Sequence, residues 1–268
     1  MKRSAVAQSS KSVRSPLRYP GGKSRAVKVI LPRITELMGD RTTLVSPFIG
    51  GGSIELACAT QGKTVYAYDT FQPLIAFWSA LLRDPVALAQ EVQKYYPLTQ
   101  REDFYQLQKQ HQDVANDYQA ILFFVLNRAS FSGTTLSGGC SDLSITKRFT
   151  QSSIDRLHAF PAEQIRQYLT VDVQDFEVSL NQHPDAFAYL DPPYLISSSL
   201  YGNRGSTHQG FDHERLARVL RSRRGWILSY NDHPTIRDLY EGFEIQCPQW
   251  SYGMGNSKKS QEVLIISR

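Results

Sequence analysis

Short apolar, β-branched runs that end abruptly recur along the chain, at Thr43–Pro47, Thr64–Tyr68, Tyr168–Val173, Ala186–Leu190, Gly225–Ser229, Phe243–Gln249 and Gln261–Ser267. Runs of this length and composition predict strands. Between them, apolar residues return at helical spacing over Ser24–Met38, Ser53–Thr60, Pro73–Leu82, Asp175–Leu180, Asp212–Arg221 and Pro234–Tyr240, which predicts helices. Strands alternating with helices predict an α/β fold with a mostly parallel, seven-stranded sheet covered on both faces. The last two strands are joined only by Trp250–Ser260. Without a crossover helix they must pair antiparallel or be separated by a third strand.

The alternation stops between residues 84 and 165. Thr99-Gln-Arg-Glu102 reads as a capping box opening a helix, and a second helix is expected from Asp117 to Ala129, with apolar Ala120, Ile121, Phe124, Val125 and Leu126. A Ser/Thr/Gly-rich loop, Ser130–Gly139, follows, and a third short helix is expected to start at Ser152 or Ser153. The pattern divides the chain into a flexible arm (1–16), an α/β body (17–83 and 166–268) and a mostly helical insertion (84–165).

Composition narrows the class. A chain of 268 residues, 41% hydrophobic, can bury a core without disulfide or metal staples. Its three cysteines, Cys58, Cys140 and Cys247, show no CxxC or Cys/His spacing, so neither zinc nor a disulfide framework is expected. No run approaches a membrane span, and no membrane partner is expected. The first 16 residues are basic and Ser-rich without the apolar core of a secretory signal. An organelle transit peptide has the same composition, but the motifs described below begin at Leu17, and a cytoplasmic, nucleoid-associated location in a bacterium or phage-infected cell is expected. The net charge of +5 favours a polyanionic partner.

Two motifs carry chemistry. Ser46-Pro-Phe48-Ile-Gly50-Gly51-Gly52-Ser53 ends the first strand and opens a helix, and Asp69 ends the second strand. Glycines let the backbone approach a ligand closely, and an acid at that strand end suits ribose hydroxyls. The pair points to a nucleoside cofactor without choosing among a dinucleotide, ATP and S-adenosylmethionine; alone it is equally a tight turn beside a surface acid. The second motif, Asp191-Pro192-Pro193-Tyr194, follows the apolar strand Ala186–Leu190. Its prolines stiffen the turn and press Asp191 into an extended conformation. That leaves a rigid carboxylate, a free Pro192 carbonyl and an aromatic ring at a strand's C-terminal edge. The N6 amine of adenine is a poor nucleophile because its lone pair is delocalised. A carboxylate and a carbonyl accepting its N–H bonds localise that pair, and Tyr194 can stack on the base. Positioning beside an activated methyl group then supplies most of the rate. A base within a duplex must be flipped out to reach such a site.

Taken in order, Leu17-Arg-Tyr19-Pro-Gly21-Gly22-Lys23-Ser, the glycine motif, Asp69, Leu126-Asn127-Arg128, Asp175-Phe176, Asp191-Pro-Pro-Tyr194, Phe211-Asp-His213, Leu228-Ser-Tyr230-Asn231 and Lys259–Ile266 resemble the Dam-type, alpha-group DNA adenine N6-methyltransferases from Leu17 to the end of the chain. The resemblance implies a Rossmann-like methyltransferase sheet using S-adenosyl-L-methionine, with residues 84–165 as the target-recognition insertion. It implies cofactor contacts by Tyr19, Lys23, Phe48, Gly50, Gly51, Gly52, Asp69, Asp175, Phe176 and Asp191. Catalysis would fall to Asp191, Pro192 and Tyr194, and contacts with double-stranded DNA to Asn127, Arg128, Ser132, Thr134, Lys147 and Arg148. A cognate restriction endonuclease is a further partner the family allows, and the enzyme is expected to act as a monomer on DNA.

The chain also departs from the family. Many members that read GATC follow Asn-Arg with an aromatic-Asn-Gly and then an arginine three residues on. Here the stretch is Phe131-Ser132-Gly133-Thr134-Thr135-Leu136. A bidentate arginine–guanine contact is worth about 1–3 kcal/mol of discrimination, so its loss puts GATC recognition in doubt. Other basic clusters, Lys2, Arg3, Lys11 and Arg14 in the arm, Arg215–Arg224 and Lys258-Lys259, read as phosphate contacts or as solvated faces. The Ser/Gly-rich stretch Leu195–Gly210 is expected to be mobile without DNA and to order over a flipped base. The histidines show no metal spacing, so no metal and no catalytic histidine are expected. The rival readings are a cytosine-N4 or RNA methyltransferase and an inactive DNA-binding relative.

Overall fold

A computed structural model describes residues 13–111, 116–136, 138–195, 210–248 and 262–268. Lys2, Arg3, Lys11, Lys258-Lys259, His208 and nearly all of Leu195–Gly210 lie outside the described residues, and the expectations for them with it. In chain order the body opens with α1 (Val27–Met38), β1 (Thr43–Ser46), α2 (Ser53–Thr60), β2 (Thr64–Asp69) and α3 (Gln72–Arg83). The insertion carries α4 (Pro85–Gln93), α5 (Arg101–Gln110), α6 (Asn116–Ala129), α7 (Asp142–Arg148), α8 (Gln151–His158) and α9 (Ala162–Ile165). The body resumes with β3 (Leu169–Val173), α10 (Phe176–Gln182), β4 (Phe187–Leu190), α11 (His213–Arg221), β5 (Trp226–Asn231), α12 (Pro234–Leu239), β6 (Glu244–Gln246) and β7 (Glu262–Ser267).

The seven strands form one sheet in the order β3-β2-β1-β4-β5-β7-β6. The first five neighbours run parallel. β7 runs antiparallel between β5 and β6, the first of the two arrangements open to strands with no helix between them. Alternation along each strand builds two cores. Leu44, Phe187, Tyr189, Ile227 and Leu264 pack into one; Val45, Ala188, Leu190, Leu228 and Val263 pack into the other. The first core runs on into the insertion, where Phe77 of α3 stacks on Phe124 of α6 at 5.5 Å.

The chain order turns around at β1, with β2 on one side and β4 on the other. Such a switch point opens a crevice at the C-terminal ends of its strands. The glycine motif leaves β1 there and Asp191-Pro-Pro-Tyr194 leaves β4, its neighbour, so 140 residues of separation in sequence vanish in space.

Three local expectations change. The capping box at Thr99 does not form: α5 starts at Arg101 with Gln100 as its N-cap and no side-chain cap. The Arg101 N–H is instead satisfied from a distance by Asp142 at 3.2 Å. A capping box does open α8, between Thr150 and Ser153, one residue before the expected start. The sixth strand covers only Glu244–Gln246 of Phe243–Gln249, as the proline at 248 has no N–H to give to a ladder. Helices α4, α7 and α9 were not expected. Asp84 caps α4 by accepting from Val86 N–H (3.1 Å) and Ala87 N–H (2.9 Å).

Candidate active site

A cavity of about 640 Å³ opens at the switch point, lined by Tyr19, the glycine turn, Asp69, Asp175 and Asp191-Pro-Pro-Tyr194. That is within the range of small-ligand sites. The turn after β1 needs its glycines: Gly50 has φ +45 and Gly52 φ +65, a region that side chains rarely adopt. Added Cβ atoms would also collide, at 2.9 Å from the ring of Tyr19 for Gly50 and 2.5 Å from Trp78 for Gly52. Trp78 fixes the turn by donating its indole N–H to the Gly50 carbonyl at 3.1 Å.

Asp69 lies beside this turn because β2 pairs with β1. Its Oδ2 accepts from Gly50 N–H at 3.3 Å and its Oδ1 from Phe71 N–H at 3.0 Å. Burial outweighs these bonds and pushes its carboxyl up to about 6. Beneath the turn, Glu55 of α2 is buried and accepts from the Ser46 hydroxyl at 2.6 Å. Burial, opposed by that hydrogen bond and reinforced by the charge of Asp191, pushes Glu55 up to about 7.

Lys23 reaches the end of β4 from the N-terminal segment. Its ammonium, only 4% exposed, donates to Asp191 Oδ1 (2.7 Å) and Oδ2 (2.8 Å), to the Tyr194 hydroxyl (2.8 Å) and to the Gly21 carbonyl (3.1 Å). It also sits 5.0 Å from the Tyr194 ring centre. Burial raises Asp191 to about 6; Lys23 pulls it down and Glu262 adds to the rise. Pro192 is buried in the turn. Asn231 holds the exit of the motif, accepting from Leu195 N–H at 3.1 Å and donating to the Leu195 carbonyl at 3.0 Å.

Asp175 caps α10, accepting from Glu177 N–H at 2.9 Å. Arg215 of α11 bonds the same carboxylate, donates to Glu177 Oε2 at 2.6 Å, and lies 4.4 Å over the ring of Phe176. Phe48, Phe176 and Phe211 form a triangle with centroids 5.6 to 5.8 Å apart. Beside Asp191 the cavity thus offers aromatic faces, the carboxylates of Asp69 and Asp175, which can receive hydroxyls or an amine, and a glycine turn, a set of groups suited to an adenosine bearing a charged side chain.

The residues expected at DNA separate. Asn127 is fully buried. Its Oδ1 accepts from Arg18 N–H at 2.9 Å, and its Nδ2 donates to the Arg18 carbonyl (2.8 Å) and the Gly133 carbonyl (3.1 Å). It fastens the segment before Tyr19 to the insertion. Arg128 is half-buried and donates to the carbonyls of Pro16 (3.4 Å) and Arg148 (3.2 Å). Burial, with Arg156 and Arg18 nearby, lowers it to about 10, still cationic at neutral pH. Ser132 and Lys147 are exposed, and Thr134 lines the cavity. Arg148 donates to the Ser130 carbonyl at 3.3 Å and lies 5.3 Å from the ring of Phe131, an aromatic that is 43% exposed.

The sequence pattern assigns no role to Glu262, Glu55 or Trp78. It places Arg215 only in a basic cluster, and nothing in a one-dimensional pattern shows that α11 carries it over Phe176. Among the described residues, no group of three or more His, Cys, Asp or Glu side chains could hold a metal ion, and no helix is long and apolar enough to cross a membrane.

No curated protein matches the chain. The family model of the D12 class N6 adenine-specific DNA methyltransferases matches residues 19–254, a span that contains the Tyr19–Lys23 segment, the glycine turn and Asp191-Pro-Pro-Tyr194, and the chain belongs to that family.

Proposed function

We propose that this protein is a site-specific, S-adenosylmethionine-dependent methyltransferase acting on the N6 amine of an adenine flipped out of double-stranded DNA. The observation that supports this most directly is that the glycine turn after β1 and Asp191-Pro-Pro-Tyr194 after β4 line one cavity, where a cofactor and a target base would meet.

When bound, S-adenosylmethionine supplies a methyl carbon activated by a sulfonium. The chain does the rest. Gly50, Gly51 and Gly52 let the backbone run close under the amino-acid part, with Tyr19 and Phe48 beside it. Asp69 accepts the ribose hydroxyls, Asp175 accepts the cofactor's adenine amine, and Phe176 packs on that ring. Asp191 and the Pro192 carbonyl accept the two N–H bonds of the target amine and localise its lone pair, while Tyr194 stacks on the base. Once the amine is seated on Asp191, these acceptors are already oriented for the chemical step, so little reorganisation is needed in it. The proton released from the methylated nitrogen passes to Asp191 or to water.

Residues 84–165 serve as the recognition insertion, with Ser132, Thr134, Lys147, Arg148 and the cation of Arg128 at the DNA side. Leu136 stands where many GATC-reading members carry arginine, which argues against GATC as the target sequence. Expression in a host lacking DNA methylation, followed by a genome-wide reading of modified bases, tests the proposal. N6-methyladenine in one short sequence context is expected; an unmodified genome, or methyl groups on cytosine, would overturn it.

A further inference from the structure

Lys23 in the ligand-free protein occupies the acceptor that a target amine needs. Its three N–H bonds are already met by four acceptors within 3.1 Å: both oxygens of Asp191, the Tyr194 hydroxyl and the Gly21 carbonyl. An entering amine must take over part of the Asp191 carboxylate. A buried ammonium deprived of its counter-charge is strongly destabilising, so the exchange requires a second anion within reach.

Glu262 is placed for this. It is the first residue of β7, paired in register with Asn231 of β5, and it is only 6% exposed. Its Oε2 lies 3.8 Å from Lys23 Nζ, an ion-pair neighbour about 0.6 Å beyond hydrogen-bond reach. Ser229, also buried, orients the carboxylate from 3.4 Å and lies 3.5 Å from the Tyr194 hydroxyl.

We propose that Glu262 is a positioning residue: it receives the Lys23 ammonium when the target amine takes its place on Asp191, so that the ammonium keeps a counter-charge while the Asp191 carboxylate accepts from the neutral amine. The inference rests on the functional reading above. Two other anions face Lys23 from neighbouring elements, Asp191 at hydrogen-bond distance and Glu55 as a more distant electrostatic neighbour. Neither can substitute, because the first is the group being vacated and the second is held by Ser46.

The test compares two duplexes carrying the sequence found in the modification map. One has adenine at the target position and the other purine, which lacks the 6-amino group. Both are titrated in the presence of S-adenosylhomocysteine. The ratio of the two dissociation constants isolates the amine, since differences in flipping cancel between protein variants. Glu262→Gln, which keeps shape and removes charge, is expected to lower the adenine-over-purine preference about tenfold, equivalent to about 1.4 kcal/mol. Glu262→Asp, which keeps the charge, should restore part of it. An unchanged preference in Glu262→Gln with a wild-type melting temperature would overturn the proposal. Should that variant not fold, Glu262→Asp carries the comparison, with a smaller fall expected and an unchanged preference again decisive. A wild-type protein that leaves adenine unmethylated would instead sink the functional reading beneath the proposal.

Discussion

Asp191 and Asp175 line the same cavity, and each holds a cation supplied from elsewhere in the chain, yet the two pairs stand in different dielectric settings. At Asp191 the cation is Lys23, whose side chain is 3% exposed, against 20% for the carboxylate. At Asp175 it is Arg215, with side chains 32% and 35% exposed. The Arg215 pair has comparably short contacts, a second carboxylate in Glu177 and an aromatic face below it. Contact geometry alone would rank it the stronger. Burial reverses the order, because water screens exposed pairs to about 0–1 kcal/mol, whereas opening a buried one leaves an uncompensated charge. The same enclosure that makes the Lys23 pair consequential also lets the amine-binding carboxylate act in a poorly screened site.

The severest cut into the buried end is Asp191→Ala. It removes the acceptor of the target amine and is expected to reduce methyl transfer by more than about 1,000-fold, while filter binding shows DNA affinity mostly intact. Undiminished transfer would dissolve the contrast altogether. Lys23→Met leaves Asp191 without its counter-charge. Chemical unfolding should report a loss of about 3 kcal/mol, and the acidic limb of the rate profile should move upward in pH, since the ammonium holds Asp191 down.

Acidity probes the same end without mutation. With Asp191 raised to about 6 and required as the anion, kcat/KM is expected to fall about tenfold per pH unit below that value. Stability has the opposite sign. Asp69 and Asp191 both sit above the ordinary carboxylate range, so the stability they lend is fully present below about 4, the unfolded value, and is lost as pH rises through about 6. Their contribution to the melting temperature of the ligand-free protein should therefore grow between pH 7 and pH 5. The smallest effect belongs to the exposed end: Arg215→Ala should change stability by less than about 1 kcal/mol. A loss as large as that of Lys23→Met would show that exposure does not rank the two pairs.

How much of this was legible in one dimension follows from what each feature depends on. Strands such as Ala186–Leu190 are fully buried apolar runs closed by prolines, so their existence and ends follow from local composition. The glycine turn and Asp191-Pro-Pro-Tyr194 announce themselves because their backbone needs only certain residues. The start of α5 was misjudged because a local cap at Thr99 competes with Asp142, 41 residues away, for the Arg101 N–H. The DNA contact expected of Asn127 comes from the family resemblance, which says nothing of its partners within the chain; these, the carbonyls of Arg18 and Gly133, are brought together only when the N-terminal segment meets the insertion.

By itself, then, the order of residues determined the seven-strand pattern, the switch-point motifs and hence the kind of chemistry, since these depend on periodicity and on backbone conformations open to few side chains. Tertiary structure alone decided which charges meet. Lys23, Asp191 and Glu262 come from the N-terminal segment, the end of β4 and the start of β7, and only the parallel pairing of β1 with β4 and the reversed insertion of β7 beside β5 bring them within 4 Å. Electrostatic strength depends on distance and on exclusion of water, and neither is a property of sequence neighbours.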